Sequence, residues 1–272
     1  MQQDFSVLIS VYFRETPAFM RQSLDSVFDQ TVKPSEVVLV EDGPLTQELY
    51  SVIEEYSKRW SKLKIIKLDN NLGLGMALNE GLKHCSYDLV ARMDTDDICK
   101  PDRFEKQLSK FRQDEKLDVV SAWIDEFEED ITTIKSTRKL PEIHSQIYQY
   151  GKSRCPVNHP VVMFRKNAVI AAGGYQHMPL FEDYYLWVRM LVNGAKFYNI
   201  QESLLYFRTS DAMFRRRGGR SYAKTEITFL WTMYKLGYVG LVSTIKNFLI
   251  RYFVRIMPNK MRQYVYKNLL RK

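Results

Sequence analysis

Four short runs rich in β-branched and aliphatic residues, Phe5–Val11, Glu36–Glu41, Lys64–Leu68 and Tyr87–Met93, alternate with stretches of helical periodicity. Neighbouring parallel strands need a crossover between them, usually a helix, so this alternation predicts a parallel sheet flanked by helices. Thr16 before Pro17 starts the first helix, in which Phe19, Met20, Leu24, Val27 and Phe28 recur on one face. Gly73 and Gly75 precede a third helix that runs to about Cys85. Open sheets of this kind bind ligands beyond the carboxyl ends of their strands. The polar residues that follow each run are therefore the first candidates: Tyr12 to Glu15, Glu41 to Gly43, Asn70 and Asn71, and Asp94 to Asp97.

The second half is less regular, with strands expected at Asp118–Phe127, Pro160–Phe164 and Lys196–Asn199 and helices near Pro141–Tyr150 and Phe181–Asn193. From about Ser221 the pattern turns helical and aromatic-rich, and Pro258 divides that tail in two. The expected organisation is a domain over 1–220, with a first half to about residue 115 and a second over 116–220, followed by a helical segment over 221–272. The formal charge of +8 is carried by the tail, since 241–272 holds eight basic residues and no acidic one. Cys85, Cys99 and Cys155 are odd in number, with no C-x-x-C pair, which suggests neither a disulfide framework nor a zinc site and fits a reducing compartment. The N-terminus lacks the basic and apolar regions of a signal peptide, so a cytosolic protein is expected.

Asp94, Asp96 and Asp97 fall within four residues, directly after the apolar Leu89-Val90-Ala91. Carboxylates so crowded repel unless a cation or hydrogen-bond donors compensate. Oxygen ligands suit Mn²⁺ or Mg²⁺, which typically bridge carboxylates to substrate phosphates. The plainer alternative is that Asp96 and Asp97 cap the helix that follows Pro101.

The run Val90-Ala91-Arg92-Met93-Asp94-Thr95-Asp96-Asp97-Ile98, followed by Pro101-Asp102-Arg103-Phe104-Glu105-Lys106-Gln107, closely resembles the D-x-D-D block of family 2 glycosyltransferases. The resemblance extends to Ser6–Tyr12, Glu41-Asp42-Gly43, Asn71-Leu72-Gly73 through Asn79-Glu80-Gly81, His159-Pro160, Gly173-Gly174-Tyr175 and Glu182-Asp183-Tyr184-Tyr185-Leu186-Trp187. These segments keep the family's order over roughly residues 5–210, a far more specific signal than any one of them.

The resemblance implies a GT-A fold, Rossmann-like and α/β, with a mixed central sheet flanked by helices, and an inverting, metal-dependent transfer of a sugar from a nucleotide diphosphate. Asp42 would bind the base, uracil; Asp94 the ribose or a sugar hydroxyl; Asp96 the metal. Tyr12, Glu15 and Asn71 would line the same donor site. Asp183 would be the general base for the acceptor hydroxyl, with Glu182, His159 and Gly174 around the acceptor pocket. An ordinary Asp-Gly turn also accounts for Asp42, and a dipole-favoured helix start also accounts for Glu182 and Asp183. His159 is either structural or an acceptor contact. Two departures matter. Leu78 stands where many members carry Arg, and the Q-x-x-R-W motif of processive synthases is absent, so transfer of a single hexose, glucose or galactose, is expected.

Arg215, Arg216 and Arg217 before Gly218-Gly219 are either a lid that brings Arg216 to the donor diphosphate or a solvated charge run. In the tail, Lys246, Arg251 and Arg255 interrupt an apolar stretch, which argues against a spanning helix. Phe248, Leu249, Tyr252, Phe253 and Ile256 share a helical face that either packs on the protein or, with the basic residues, meets an anionic membrane surface. The expected acceptor is a lipid-diphosphate-linked saccharide of bacterial surface polysaccharide synthesis (O-antigen or exopolysaccharide), reached peripherally from the cytoplasmic face. A nucleotidyltransferase would show a glycine-rich basic segment after the first strand, where this chain has Tyr12-Phe13-Arg14-Glu15. Nucleic acid is not an expected partner, because acidic clusters occupy the cleft and the basic charge lies outside it.

Overall fold

The structure is a computed structural model that describes residues 3–210 and 220–256. Its first half follows the expected alternation: β1 (Ser6–Val11), α1 (Pro17–Phe28), β2 (Glu36–Glu41), α2 (Gln47–Arg59), β3 (Leu63–Lys67), α3 (Leu74–His84) and β4 (Leu89–Asp94). Strands β3, β2, β1 and β4 lie side by side and parallel, in that order. Val11 pairs Glu41, Glu41 pairs Lys67 and Ser10 pairs Asp94, so all four strands end at one edge of the sheet.

Alternate residues of each strand feed different cores. Val7, Ile9 and Val11 pack with α1, α2 and α4 (Arg103–Gln113) on one face, whereas Leu8, Val38, Val40 and Val90 pack with α3 on the other. Burial on both faces explains why the strands read as nearly continuous apolar runs. Helix α3 lies unusually close to the sheet at Gly81, where a Cβ would come 2.5 Å from Leu8 Cδ1 and 2.6 Å from Val40 Cγ2. Buried Glu36 at the foot of β2 is satisfied by Ser6, Ser86 and Lys64.

The second half completes a mixed sheet, ordered β3-β2-β1-β4-β8-β6-β9-β5, with β7 beside β6. Its elements are β5 (Ile98–Cys99), β6 (Val119–Phe127), β7 (Ser136–Arg138), α5 (His144–Tyr150), β8 (Met163–Arg165), α6 (Lys166–Ala171), α7 (Glu182–Val192) and β9 (Phe197–Arg208). The strand expected from Pro160 begins at Met163 instead, because Pro160 has no N–H to donate and sits in a 3₁₀ turn, His159–Val161. The strand expected over Lys196–Asn199 runs on to Arg208. Gln201, Glu202 and Ser203 break its apolar pattern where the pairing with β6 shifts register after Ala122.

Two further helices follow, α8 (Arg220–Lys235) and α9 (Leu241–Ile256). Phe229, Leu230, Met233, Tyr238 and Val239 are buried in the core that contains α3 and α7, while Asn247 donates to the Lys152 carbonyl at 3.0 Å. The inner side of the tail therefore packs on the protein, whereas Trp231, Leu241, Val242, Ile245 and Leu249 remain exposed. No helix among the described residues is long and apolar enough to cross a membrane. Pro258 and the tail beyond it lie outside those residues.

Candidate active site

The edge at which β1, β2 and β4 end carries the acidic cluster. Asp94 is the last residue of β4, and carboxylate oxygens of Asp94, Asp96 and Asp97 lie within 4.8 Å of one another. Neither Asp96 nor Asp97 caps α4: its capping position is Asp102, which makes no side-chain cap bond. Instead Asp97 is fully buried, with Oδ1 accepting from the Arg208 backbone N–H at 2.9 Å and Oδ2 without a partner. Burial and the neighbouring Asp96 and Asp94 charges raise its proton affinity strongly. Asp96 is pushed up to about 7 by burial, by Asp94 and by Glu15.

Two arginines oppose this charge, and neither stood out in the sequence. Arg92 lies two residues before Asp94 on the same strand face, is buried, and closes bidentately on the Asp94 carboxylate. Its position two residues back on a strand was the available signal. Arg208 ends β9, donates from Nε to the Asp96 carbonyl at 2.9 Å, and stacks over Phe19 and Phe127. Nothing local in the sequence marks it, because 111 residues separate it from Asp97. Glu15 joins the group, accepting from the Thr95 hydroxyl with one oxygen and from the Thr16 N–H at 2.7 Å with the other. Among the described residues four carboxylates thus face two guanidiniums, an excess of two negative charges when all are ionised. Two like charges 4–5 Å apart repel by roughly 3–4 kcal/mol at an effective dielectric near 20, several times the net worth of a hydrogen bond. That excess and the unpartnered Asp97 oxygen fit a hard divalent cation.

Asp42 follows β2 and is buried. Its Oδ1 accepts from the Leu72 N–H at 2.7 Å, and its Oδ2 from the Gly73 N–H at 3.1 Å and Asn71 Nδ2 at 3.0 Å. The carboxylate therefore holds the loop that leads into α3, and a base contact would have to use its remaining lone pairs. Gly43, at φ +82, passes so close that a Cβ would lie 2.6 Å from the Asn71 nitrogen. Tyr12 is exposed at the end of β1, edge-on to Phe13. Leu78 is fully buried beneath α3, so no polar contact is made from that position. Arg216 and its neighbours lie outside the described residues.

Glu182 and Asp183 form the first turn of α7, and the buried Tyr175 hydroxyl lies within electrostatic reach of both Asp183 and Asp94. Gly75, in the first turn of α3, allows the approach: a Cβ there would sit 3.3 Å from Tyr175 Cβ and 3.5 Å from Glu182 Cβ. Asn79 then clamps Tyr175, donating to its carbonyl at 2.7 Å and accepting from its N–H at 2.8 Å. Gly174 has φ +62, and a Cβ there would lie 2.7 Å from Asn79 Oδ1, so both backbone and space favour glycine. His159 is buried with Nε2 2.8 Å from the Tyr175 hydroxyl, and burial with the nearby Arg92 charge keeps it neutral. The Cys155 thiol lies 3.9 Å from Asp183 Oδ2, and burial with that carboxylate pushes its proton affinity up. Glu182 is raised by burial, with Asp183 adding to the shift. The arrangement can hold a cation beside one carboxylate group and offer a second, separate carboxylate to an incoming hydroxyl.

Residues 6–172 match the sequence model of the family described as "Glycosyl transferase family 2". The chain is 40% identical over 268 residues to the Escherichia coli "UDP-Gal:alpha-D-GlcNAc-diphosphoundecaprenol beta-1,3-galactosyltransferase", covering 98% of this chain and 97% of that one. It is also 40% identical over 266 residues to the "Amylovoran biosynthesis glycosyltransferase AmsE" of Erwinia amylovora, covering 97% and 98% of the two. Among solved structures, S. aureus TarS 1-349 in complex with UDP-GlcNAc superposes with a TM-score of 0.69 at 16% identity, over 97% of this chain and 79% of that one.

Proposed function

Because the chain belongs to glycosyltransferase family 2, a membership shown by the match over 6–172 and by full-length relatives at 40% identity, we propose that it transfers one hexose from a UDP-sugar, with inversion, to a lipid-diphosphate-linked saccharide. The observation that carries this most directly is the pairing of an acidic cluster at the end of β4 with a distinct carboxylate, Asp183, on α7. Galactose is the favoured hexose of the two expected, since it is the sugar named for the E. coli relative.

Asp96, with Asp97 and Asp94 around it, would hold Mn²⁺ or Mg²⁺. The ion would neutralise charge that develops on the leaving diphosphate. Asp94, fixed by Arg92, presents its remaining lone pairs to hydroxyls of the donor. Glu15, Asn71 and Tyr12 border that space, and Asp42 shapes it by holding the 71–73 loop. Asp183 accepts the proton of the acceptor hydroxyl as its oxygen bonds the anomeric carbon from the face opposite the diphosphate, which departs with the bonding pair as UDP. Glu182, His159 and Gly174 support the acceptor side, the last two by positioning Tyr175. Peripheral attachment at the inner face of the cytoplasmic membrane would bring the site to such an acceptor, with the exposed apolar side of α8 and α9 as one contact.

The test is thermal unfolding against UDP-, GDP- and dTDP-sugars with and without Mn²⁺, followed by transfer to N-acetylglucosamine-diphospho-lipid. A ligand at one hundred times its dissociation constant adds about 2.7 kcal/mol to a fold it binds selectively. A metal-dependent shift with UDP-galactose and formation of a β-linked product are expected. An α-linked product would remove inversion, and a shift with GDP- or dTDP-sugars alone would remove the UDP assignment.

A further inference from the structure

The approach of α3 to α7 that builds the acceptor side also leaves an apolar rim. Leu74 and Met76 flank Gly75 and are 45% and 48% exposed, and Leu180, two residues before Glu182, is 54% exposed. Since Gly75 packs within contact distance of Glu182, all three residues lie within two positions of the contact between α3 and α7, next to the turn that carries Asp183. Leu180 carries a second anomaly, a backbone φ of +69. A left-handed conformation disfavours leucine, whereas glycine or asparagine adopts it readily. Its half-exposed side chain gains little from burial in return, so the leucine is better explained by something that covers it.

The chemistry of the proposed acceptor identifies that cover. When the reacting sugar is joined to lipid through a single diphosphate, the hydroxyl facing Asp183 lies one sugar ring and two phosphates from hydrocarbon. The mouth must then meet the bilayer surface, and side chains on its rim enter the acyl boundary. We propose that Leu74, Met76 and Leu180 form a membrane-contacting rim that seats the acceptor side of the site directly on lipid, separately from the tail helices. This rests on the lipid-linked acceptor of the preceding section.

The experiment compares the unsubstituted chain with Leu74→Ser/Met76→Ser/Leu180→Asn, the last change also relieving the left-handed strain. Each receives UDP-galactose, Mn²⁺ and N-acetylglucosamine diphosphate carried on either a short water-soluble alkyl chain or a polyprenyl chain in phosphatidylethanolamine–phosphatidylglycerol vesicles. The triple variant should lose about tenfold in kcat/KM with the vesicle acceptor and stay within about twofold with the soluble one. Equal loss on both acceptors, or no loss on either, overturns the rim. Turnover of neither acceptor by the unsubstituted chain would count against the acceptor assignment, and the rim is then decided by a second measurement. Met76→Trp fluorescence should be quenched by bromine-labelled acyl chains beyond the quenching of the unsubstituted chain, and its absence in vesicle-bound protein overturns the proposal.

Discussion

Arg92 reaches from the buried side of β4 and closes both terminal nitrogens on the carboxylate of Asp94. The pair orients Asp94 toward the mouth and supplies an internal positive charge to a cluster that otherwise has too few. Removing one partner of a buried ion pair strands the other, so Arg92→Met should cost about 2–4 kcal/mol, which urea unfolding measures. Arg92→Lys keeps the charge but loses the bidentate fork. It should recover much of the stability while raising the KM for the donor more than it lowers kcat; equal stability losses for Lys and Met would remove the role of geometry.

Asp96 binds its proton more tightly folded than unfolded, near pH 7 against an ordinary value near 4. Its burden on the metal-free fold is therefore absent below about pH 4, grows as pH rises, and is complete above about pH 7. In chelator, the unfolding midpoint of Asp96→Asn should exceed that of the unsubstituted chain at pH 8 and approach it near pH 4. Mn²⁺ held by Asp96, as proposed, would compete with the same proton, so its stabilisation should be larger at pH 8 than at pH 5.5 and absent in Asp96→Ala. Calorimetric scans at the two pH values read both effects.

If Asp183 is the base proposed above, Asp183→Asn keeps the shape of the side chain but removes the basicity that transfer needs. Transfer should fall by about 10²–10⁴-fold while the thermal shift produced by UDP-galactose and Mn²⁺ is preserved. Near-normal turnover would place the base elsewhere, and a lost donor shift would mean that Asp183 serves binding.

On the tail, Val242 is 81% exposed, with Trp231 and Ile245 also exposed. Trp231→Ser/Val242→Ser/Ile245→Ser should leave the unfolding midpoint within a few degrees yet reduce co-sedimentation with anionic vesicles several-fold, since apolar burial in the interface is lost. Unchanged co-sedimentation would leave the attachment to other surfaces.

The first half of the fold was legible because β1, β2 and β4 are buried on both faces and so announce themselves as apolar runs between helical stretches. The acidic cluster was legible because three carboxylates crowd one strand end, and Asp183 was singled out because the order of motifs from Ser6 to Trp187 resembles a known family. Arg208 was not, since it meets Asp97 only through the far end of a long strand whose polar middle disguised its length. Arg92 was printed beside the acidic cluster but looked like any polar residue on a strand; that it is buried, and aimed at Asp94, is a fact of three dimensions. Asp42 was singled out in the sequence as a site candidate, but that its two oxygens are engaged by the 71–73 loop follows only from how β2 and that loop come together.

Asn79 and Tyr175 join the two halves of the chain by a pair of hydrogen bonds in which one side-chain amide donates to the carbonyl and accepts from the N–H of the same residue. The exchange of residues 1–115 between related enzymes, by recombination or in a designed chimera, therefore cannot treat the segments as interchangeable cassettes. Whatever donates residue 79 must match the backbone at 174 and 175, or the seam between α3 and the turn before α7 is lost.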